Sequence, residues 1–341
     1  MKNILLIFAC LLSGCGVYLE YPQLGNNVQW KLIHYNDTAV YRLAAKKALI
    51  DSVIDVSSKE VFHTDNKQVF KLPGSRLKPG INELSFNFYS GGKKRRSNEH
   101  LYMVSDTEPL QMELDDYYIL KHDKEAFTQG LLFLNGHLFE STGLTGQSSL
   151  RIINPENGDL IRKLDLDPEI FAEGIASIND ELHLLTWKDG LVYRFSHELE
   201  QLSIYPYRQE GWGLTVLNNK MIASDGSNKL YYLSDAYKVD SVVHVLNHRG
   251  AVPYINELEC INGKIWANVL GDDKIIVINP LNGKVEVEIE ASKCIDRHRY
   301  PDAGVMNGIA YDARNGMVYL TGKNWPYLIV WRLMSFDKSN K

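Results

Sequence analysis

The stretch FTQGLLFLNGHLFEST at residues 127–142 decides the fold, because four later stretches repeat its pattern of a Gly-apolar pair, a short polar turn and an apolar run. Apolar residues alternate in short runs separated by Asn-Gly, Asn-Asp or Asn-Asn, which is typical of strands joined by tight turns. The other copies are FAEGIASINDELHLLTW at 171–187, GWGLTVLNNKMIASDG at 211–226, NELECINGKIWANVL at 256–270 and NGIAYDARNGMVYLTGK at 307–323.

The spacing of the copies indicates the architecture. Aligned on Gly130, Gly174, Gly213, Leu258 and Gly308, they recur at steps of 44, 39, 45 and 50 residues. A four-stranded propeller blade takes roughly 40 to 50 residues, whereas a β-sandwich has no reason to repeat one motif at a fixed interval. The sequence therefore predicts an all-β fold with a five-bladed β-propeller over residues 110–335.

The residues before the repeats predict a second, smaller domain. Residues 24–106 lack the repeat but alternate like strands at Val28–Ile33, Ser52–Val56 and Glu83–Phe88. An immunoglobulin-like β-sandwich fits this pattern best, with a boundary near residues 106–109. The segment has no cluster of His, Cys or acidic residues, so we expect a spacer or packing role.

The first fifteen residues have the pattern of an export signal. A charged start, an apolar run from Ile4 to Leu12 and the small residues Ser13-Gly14 precede Cys15, and the run is too short to span a bilayer. Leu12-Ser13-Gly14-Cys15 also resembles the bacterial lipobox. We expect a signal peptide at 1–15, lipidation of Cys15, and a membrane-anchored, periplasm-facing lipoprotein of the cell envelope. An ordinary secretory signal with an incidental Cys15 is the alternative.

Composition excludes some partners and leaves others open. A net charge of −5 over 341 residues, with 23% charged residues, is typical of a globular protein that does not bind nucleic acid. The run Lys93–Arg96 is interpreted as a solvated hairpin tip. In the exported chain Cys260 and Cys294 form either a disulfide or two free thiols. We expect a monomer.

A propeller brings equivalent positions of its repeats together at the central channel. One acid there, Glu173, has apolar neighbours that would raise its pKa by desolvation, and such a carboxyl can both accept and return a proton near neutral pH. Each of these residues also has a purely structural alternative. Glu173 could bond to the backbone of the next blade, and Trp187 and Trp212 could pack between blades. Lys323 could lie in a solvated turn. The residues gathered by the repeats are Phe127, Gln129, Glu173, Trp187, Trp212, Asn256, Glu257, Glu259, Asn307, Lys323 and Trp325.

Seven strings in the repeats resemble those of the plant-type glutaminyl-peptide cyclotransferases. The resemblance covers residues 115–333 and implies a five-bladed propeller that converts the N-terminal glutamine of peptides to pyroglutamate and releases ammonia. The strings are Phe127–Leu131, Phe171–Ile175, Gly211–Leu214, Ser224–Ser227, Asn256–Glu259, Asn307–Ala310 and Thr321–Pro326.

The resemblance also implies roles for individual residues. Glu173 matches the proton-shuttling acid. Independently of the resemblance, negative charge that builds on the side-chain amide oxygen needs hydrogen-bond donors, and the candidates are Lys323 and the amides of Gln129 and Asn256. One position departs from the family pattern, because Leu270 stands where a further aromatic residue is expected, so the pocket wall is thinner there. The positions matching the family's substrate-binding residues are Phe127, Gln129, Phe171, Trp187, Trp212, Asn256 and Lys323.

No metal or other cofactor is required for this chemistry, although a structural calcium or other divalent ion in the channel is compatible with it. Two rival functions remain open at this point. In a calcium-dependent lactonase-like propeller, Glu173, Asn256 and Asn307 would ring a metal through oxygen ligands. In a non-enzymatic, surface-anchored binding propeller, the repeats would form only a scaffold.

Overall fold

The computed structural model describes residues 15–20, 31–34, 37–45, 50–63, 69–77, 80–90 and 92–333. Within these ranges the chain forms strands, turns and two short 3-10 helices, at Gly74–Arg76 and Ser292–Cys294, and no α-helix. The all-β prediction is therefore confirmed. No helix in the same ranges has the length and apolar character needed to cross a bilayer. The predicted signal peptide, apart from Cys15, lies outside the described residues.

The chain divides into two compact units. The first comprises the described residues up to Glu108 together with Leu246–Ala251, and the second comprises Pro109–Val245 and the chain from Val252 onward. The strands of the first unit are β1 (Cys15–Glu20), β2 (Lys31–His34), β3 (Thr38–Ala45), β4 (Ser52–Asp55), β5 (Val61–Phe62), β6 (Val69–Pro73), β7 (Gly80–Ser90) and β8 (Lys93–Val104), with the later hairpin β23 (Leu246–Asn247) and β24 (Gly250–Ala251).

Two sheets of the first unit share one apolar core. A three-stranded sheet has the order β1-β3-β6, and a five-stranded sheet has the order β2-β8-β7-β4-β5. Tyr41 and Phe70 of the first sheet stack with ring centroids 4.4 Å apart, and Phe86 of the second packs edge-on against both. The basic run Lys93–Arg96 is exposed, as predicted, but it forms the first residues of β8 rather than the hairpin tip.

The second unit consists of five sheets that correspond to the five sequence repeats. The sheet orders are β11-β12-β13-β14, β15-β16-β17-β18, β19-β20-β21-β22, β25-β26-β27-β28-β9 and β10-β31-β30-β29. The strands are β9 (Leu110–Glu113), β10 (Tyr117–Lys121), β11 (Thr128–Leu134), β12 (His137–Thr142), β13 (Ser149–Ile153), β14 (Leu160–Asp165), β15 (Ala172–Ile178), β16 (Glu181–Thr186), β17 (Leu191–Phe195), β18 (Gln201–Pro206), β19 (Leu214–Leu217), β20 (Lys220–Ala223), β21 (Lys229–Leu233), β22 (Val239–His244), β25 (Ile255–Ile261), β26 (Lys264–Val269), β27 (Lys274–Ile278), β28 (Val285–Glu290), β29 (Met306–Asp312), β30 (Met317–Gly322) and β31 (Tyr327–Arg332).

The first strand of each sheet contacts the first strand of the next. β11 contacts β15, β15 contacts β19, β19 contacts β25, β25 contacts β29, and β29 contacts β11, so these strands form a closed ring of neighbours. The last sheet takes its outer strand from the beginning of the unit, because β10 pairs antiparallel with β31. The repeats begin at residue 127 and gave no sign of this exchange.

The glycine of the repeat is explained by the approach of one first strand to the next. A Cβ atom on Gly174 would lie 2.5 Å from the backbone nitrogen of Leu214, and one on Gly213 would lie 2.1 Å from the carbonyl oxygen of Asn256. A Cβ on Gly130 would meet the Ile175 nitrogen at 2.8 Å. Any side chain at these positions would therefore force neighbouring strands apart.

Pairing is irregular at the start of four of the five first strands. The registers of β11, β15, β25 and β29 with their partners shift at the start of each strand, between Thr128 and Gly130 in the first of them. A bulge of this kind places two residues opposite one and changes the direction of a side chain. Four residues that the sequence gathered at the site lie at these shifts: Gln129, Glu173, Asn256 and Asn307.

Candidate active site

One cavity of about 250 Å³ is lined by all eight residues that the resemblance assigned to the site. Leu270, the position that departs from the family pattern, lines it too, and Leu144 was not predicted. Since these residues come from all five sheets and the turns beside them, the repeats do gather one site. The lining residues are Phe127, Gln129, Leu144, Phe171, Glu173, Trp187, Trp212, Asn256, Leu270 and Lys323.

Aromatic rings form a continuous part of the wall. The rings of Phe127 and Phe171 are perpendicular with centroids 6.4 Å apart, and Phe171 lies 5.4 Å from Trp187. The Lys323 ammonium lies 4.7 Å from the centroid of the Phe127 ring, within the range of a cation–π interaction. Gly143 makes room for this wall, because a Cβ there would lie 2.5 Å from Cε1 of Phe171.

Glu173 is held by a chain of amides. Its side chain is only 5% exposed, and its Oε1 accepts a 3.0 Å hydrogen bond from Nε2 of Gln129. Asn307 donates from Nδ2 to Oε1 of Gln129, also at 3.0 Å, which turns the Gln129 amide so that its nitrogen faces Glu173. The Gln129 nitrogen, expected to face an oxyanion, is therefore bonded to the acid.

Opposing effects act on the two ionisable groups of the cavity. Burial raises the pKa of Glu173 well above its ordinary value, Lys323 acts in the opposite direction, and Glu210 adds to the rise. Burial lowers the pKa of Lys323, and Glu173 opposes this change. Lys323 is 9% exposed, so the alternative of a solvated turn is wrong. Each of these buried groups stabilises the charged form of the other.

Two buried polar atoms of the wall lack a partner among the described residues, Nε1 of Trp212 and Oδ1 of Asn256. The Trp212 ring rests on Gly226, where a Cβ would lie 2.6 Å from the indole. The backbone of Asn256 is fixed by a 2.6 Å hydrogen bond from the Ser224 hydroxyl to its carbonyl oxygen. The wall of the cavity thus contains a donor and an acceptor that have no partner among the described residues, and a ligand that reached them would satisfy both.

Four residues of the gathered set lie outside the cavity lining and bond to backbone groups instead. Glu257 accepts hydrogen bonds from the backbone nitrogens of Leu131 at 3.3 Å and Ile309 at 2.9 Å, so the alternative weighed for Glu173 applies to Glu257. Burial raises the pKa of Glu259 to about 8. The four residues are Glu257, Glu259, Asn307 and Trp325.

Leu144 is the lining residue that the sequence did not reveal. It has a left-handed backbone, with φ of 79°, and its carbonyl accepts hydrogen bonds from Gln147 and Ser148. Leucine rarely adopts this conformation, and residues held in it often lie at functional sites. Only the positive φ, which a sequence does not display, would have pointed to it.

Cys260 and Cys294 are free thiols. The interpretation as two unpaired thiols is therefore the one that the structure supports. Within the described ranges, no three His, Cys, Asp or Glu side chains form a group that could hold a metal ion.

Comparisons with known proteins agree on one family. A sequence profile described as glutamine cyclotransferase matches residues 93–333, a range that includes every residue of the cavity lining. A glutaminyl-peptide cyclotransferase of Arabidopsis thaliana is 31% identical over 303 residues, which cover 84% of this chain and 91% of the relative. The crystal structure of Myxococcus xanthus glutaminyl cyclase matches with a TM-score of 0.60 at 35% identity, covering 67% of this chain and 100% of that one.

Proposed function

This chain belongs to the glutamine cyclotransferase family, and we propose that the cavity is where it cyclises glutamine, with Glu173 transferring the protons. The chain is an enzyme, an acyltransferase that converts the N-terminal glutamine of peptides or proteins to pyroglutamate and releases ammonia. The family membership predicted from the repeats is confirmed. The roles below are assigned from the geometry of the cavity.

The observation that carries the assignment is a buried carboxyl that lines the same cavity as a buried ammonium. Glu173 is 5% exposed and Lys323 is 9% exposed, and both line the cavity with aromatic rings. Burial raises the pKa of Glu173 well above its ordinary value, and Lys323 opposes part of this rise by favouring the carboxylate. A general acid–base catalyst that works near neutral pH needs a carboxyl with a raised pKa, because the group must accept a proton and then return it.

The reaction joins two groups of one substrate residue. The α-amine gives a proton to Glu173, and its nitrogen attacks the carbon of the side-chain amide. The bond between that carbon and the amide nitrogen then breaks, and the nitrogen leaves as ammonia after taking a proton back from Glu173. Since both reacting groups are tethered, the main task of the cavity is to hold the side chain in a folded conformation.

Polar groups of the wall fit the remaining tasks. Negative charge on the amide oxygen would be stabilised by Lys323, and the free Nε1 of Trp212 is a second donor for substrate oxygen. The free Oδ1 of Asn256 suits an N–H group of the substrate. Gln129 holds the carboxyl of Glu173 in a fixed orientation through its 3.0 Å bond. The rings of Phe127 and Phe171 exclude water.

The finer architecture is part of the proposal. We infer that the five sheets of the second unit are blades of a five-bladed propeller, supported by the closed ring of contacts between their first strands. The two sheets and shared core of the first unit support an immunoglobulin-like sandwich. We propose no metal or cofactor in catalysis, a monomer, and a structural role for any divalent ion bound in the channel.

We also propose that the chain is exported and anchored in the cell envelope through lipid on Cys15, facing the periplasm. The support is the charged start, the short apolar run and the Leu-Ser-Gly-Cys string of residues 1–15. Labelling with a palmitate analogue in cells tests this proposal. The unaltered chain should take up label and Cys15→Ser should not, and equal labelling of both would contradict lipidation at Cys15.

Incubation of the purified protein with a dipeptide that begins with glutamine tests the function. We expect equal amounts of ammonia and a pyroglutamyl product, and no ammonia from a dipeptide that begins with asparagine. Chelator added to one sample separates the calcium-dependent rival, since activity that vanished with chelator and returned with calcium would favour a metal site. Absence of ammonia in all samples would favour the binding-scaffold alternative.

A further inference from the structure

A second group of buried charges lies outside the cavity lining, and the mechanism above does not use it. His122 is 8% exposed, Glu140 is fully buried and Arg151 is 5% exposed. His122 precedes β11, and the other two lie on the neighbouring strands β12 and β13. Ionised groups are rarely buried to this degree unless they are paired, so the contacts among them have to be specific.

The group connects two parts of the cavity wall through short hydrogen bonds. Oε1 of Glu140 accepts a 2.6 Å bond from the hydroxyl of Thr128, the residue before Gln129. The same oxygen lies 3.0 Å from Nε2 of His122, whose Nδ1 lies 2.9 Å from the carbonyl oxygen of Trp325. Trp325 follows Lys323 by two residues.

The turn that carries Lys323 is otherwise held mainly by backbone contacts. The carbonyl oxygen of Lys323 accepts a 2.7 Å bond from the nitrogen of Gly304, and its own nitrogen donates to Val305 at 3.0 Å. The nitrogen of Asn324 donates to Ala126 at 2.7 Å. Among the described contacts, the hydrogen bond between His122 and the carbonyl oxygen of Trp325 joins the turn at residues 323–326 to the buried group formed by His122, Glu140 and Arg151.

His122 and Glu140 each favour the ionised form of the other. Glu140 raises the pKa of His122, and His122 and Arg151 lower the pKa of Glu140, in each case against the effect of burial. Arg151 also donates to Asp123 at 2.9 Å, and the hydroxyl of Thr321 lies 3.4 Å from His122. Apolar residues of similar size would often stabilise a core as well as a buried ion pair does, whereas a pair with directed bonds fixes geometry.

We propose that His122 and Glu140 are positioning residues for the cyclisation reaction, fixing the turn of Lys323 relative to Gln129, which bonds to Glu173. This inference rests on the proposed function. The carboxyl of Glu140 fixes the Gln129 end through Thr128, and the imidazole of His122 fixes the Lys323 end through Trp325. If the pair is broken, Lys323 moves relative to Glu173 and its attraction for the carboxylate weakens.

The test replaces His122 by phenylalanine, which keeps a ring of similar shape but removes both hydrogen bonds. We expect kcat with a glutaminyl dipeptide to fall about tenfold, since small displacements of reacting groups carry large rate penalties, while KM changes less. The acidic limb of the kcat profile should move to higher pH, because Glu173 loses part of the cation that favours its ionised form. Glu140→Gln keeps the shape and should give a smaller change in the same direction.

His183→Phe is the matched control, because His183 is also buried, bonds to the Tyr237 hydroxyl at 2.8 Å and does not line the cavity. It should lose comparable thermal stability with unchanged kcat and an unchanged acidic limb. The inference would be overturned if folded His122→Phe and Glu140→Gln both kept the kcat and the acidic limb of the wild-type pH profile. It would also be overturned if His183→Phe changed kcat and the acidic limb as much as His122→Phe does. Near-normal activity of Glu173→Gln would instead overturn the proposed mechanism, so the two failures are distinguishable.

Discussion

Replacing Gly143 by alanine should damage the active site through a single added methyl group. In the present structure a Cβ at this position would lie 2.5 Å from Cε1 and 3.0 Å from Cζ of Phe171, and 2.9 Å from Cγ of Gln129. Ordinary contacts of a Cβ atom are 3.4–4 Å, so the Phe171 ring has to move by about 1 Å and the Gln129 side chain by about 0.5 Å.

The size of the effect follows from what these side chains hold. Gln129 bonds to Glu173, and Phe171 packs between Phe127 and Trp187, so both movements displace groups that face the substrate. A misplacement of about 1 Å can cost about a hundredfold in rate. We therefore expect kcat/KM to fall between about tenfold and a hundredfold, with a loss of unfolding free energy of about 1–3 kcal/mol from overpacking.

Gly146→Ala in the same loop is the control. Gly146 has a φ of 81°, and an added Cβ would meet nothing within 4 Å, so the variant carries backbone strain of about 1 kcal/mol but no clash with the cavity wall. Steady-state assays of both variants with a glutaminyl dipeptide, alongside urea unfolding, provide the comparison. Full activity of Gly143→Ala, or an equal loss in Gly146→Ala, would refute the reasoning.

Three further predictions concern individual groups. Lys323→Met removes the cation that lowers the pKa of Glu173, so the acidic limb of the pH–rate profile should move to higher pH, and a limb that stays in place would contradict the assigned coupling. Trp212→Phe keeps a ring on Gly226 but removes the free Nε1 donor, so kcat/KM should fall about threefold to tenfold with an unchanged melting temperature, and unchanged kinetics would exclude a substrate bond. The pKa of Glu140 is lower in the folded than in the unfolded state, so the ionised carboxyl stabilises the fold above the unfolded pKa, and this stabilisation is lost as pH falls through the folded pKa. The urea midpoints of wild type and Glu140→Gln should therefore converge below about pH 4. A difference between the midpoints that stays constant with pH would contradict this prediction.

Much of the site could be predicted because the fold is repetitive. The Gly-apolar pairs at Gly130, Gly174, Gly213 and Gly308 fixed equivalent positions, and the residue before each pair differs from copy to copy. Close approach of neighbouring first strands requires glycine at positions 130, 174 and 213, and bulges redirect the side chains of Gln129, Glu173 and Asn307. Gln129, Glu173 and Trp212 were found in this way.

The remaining features depend on contacts between distant parts of the chain. The sequence alignment placed Glu257 at the position of Glu173, but the strand registers make Asn256 the equivalent of Glu173 and Glu257 the equivalent of Gly174. Glu257 accordingly bonds to two backbone nitrogens and does not line the cavity. The local sequence does not indicate that β10 pairs with β31. Nor does it indicate that the backbone of Leu144 is left-handed. His122 lies before the first repeat, so the periodicity did not include it.

The most direct test of the account is ammonia release from a glutaminyl dipeptide by Glu173→Gln, measured beside Glu257→Gln. Both variants replace a buried acid by its amide, but only Glu173 lines the cavity. Loss of the proton-transferring group should lower kcat by at least about a hundredfold in Glu173→Gln while its circular dichroism spectrum is unchanged. Folded Glu257→Gln should retain kcat within a few-fold of wild type. A folded Glu173→Gln protein that releases ammonia at a near-normal rate would contradict the assignment of Glu173 as the proton shuttle.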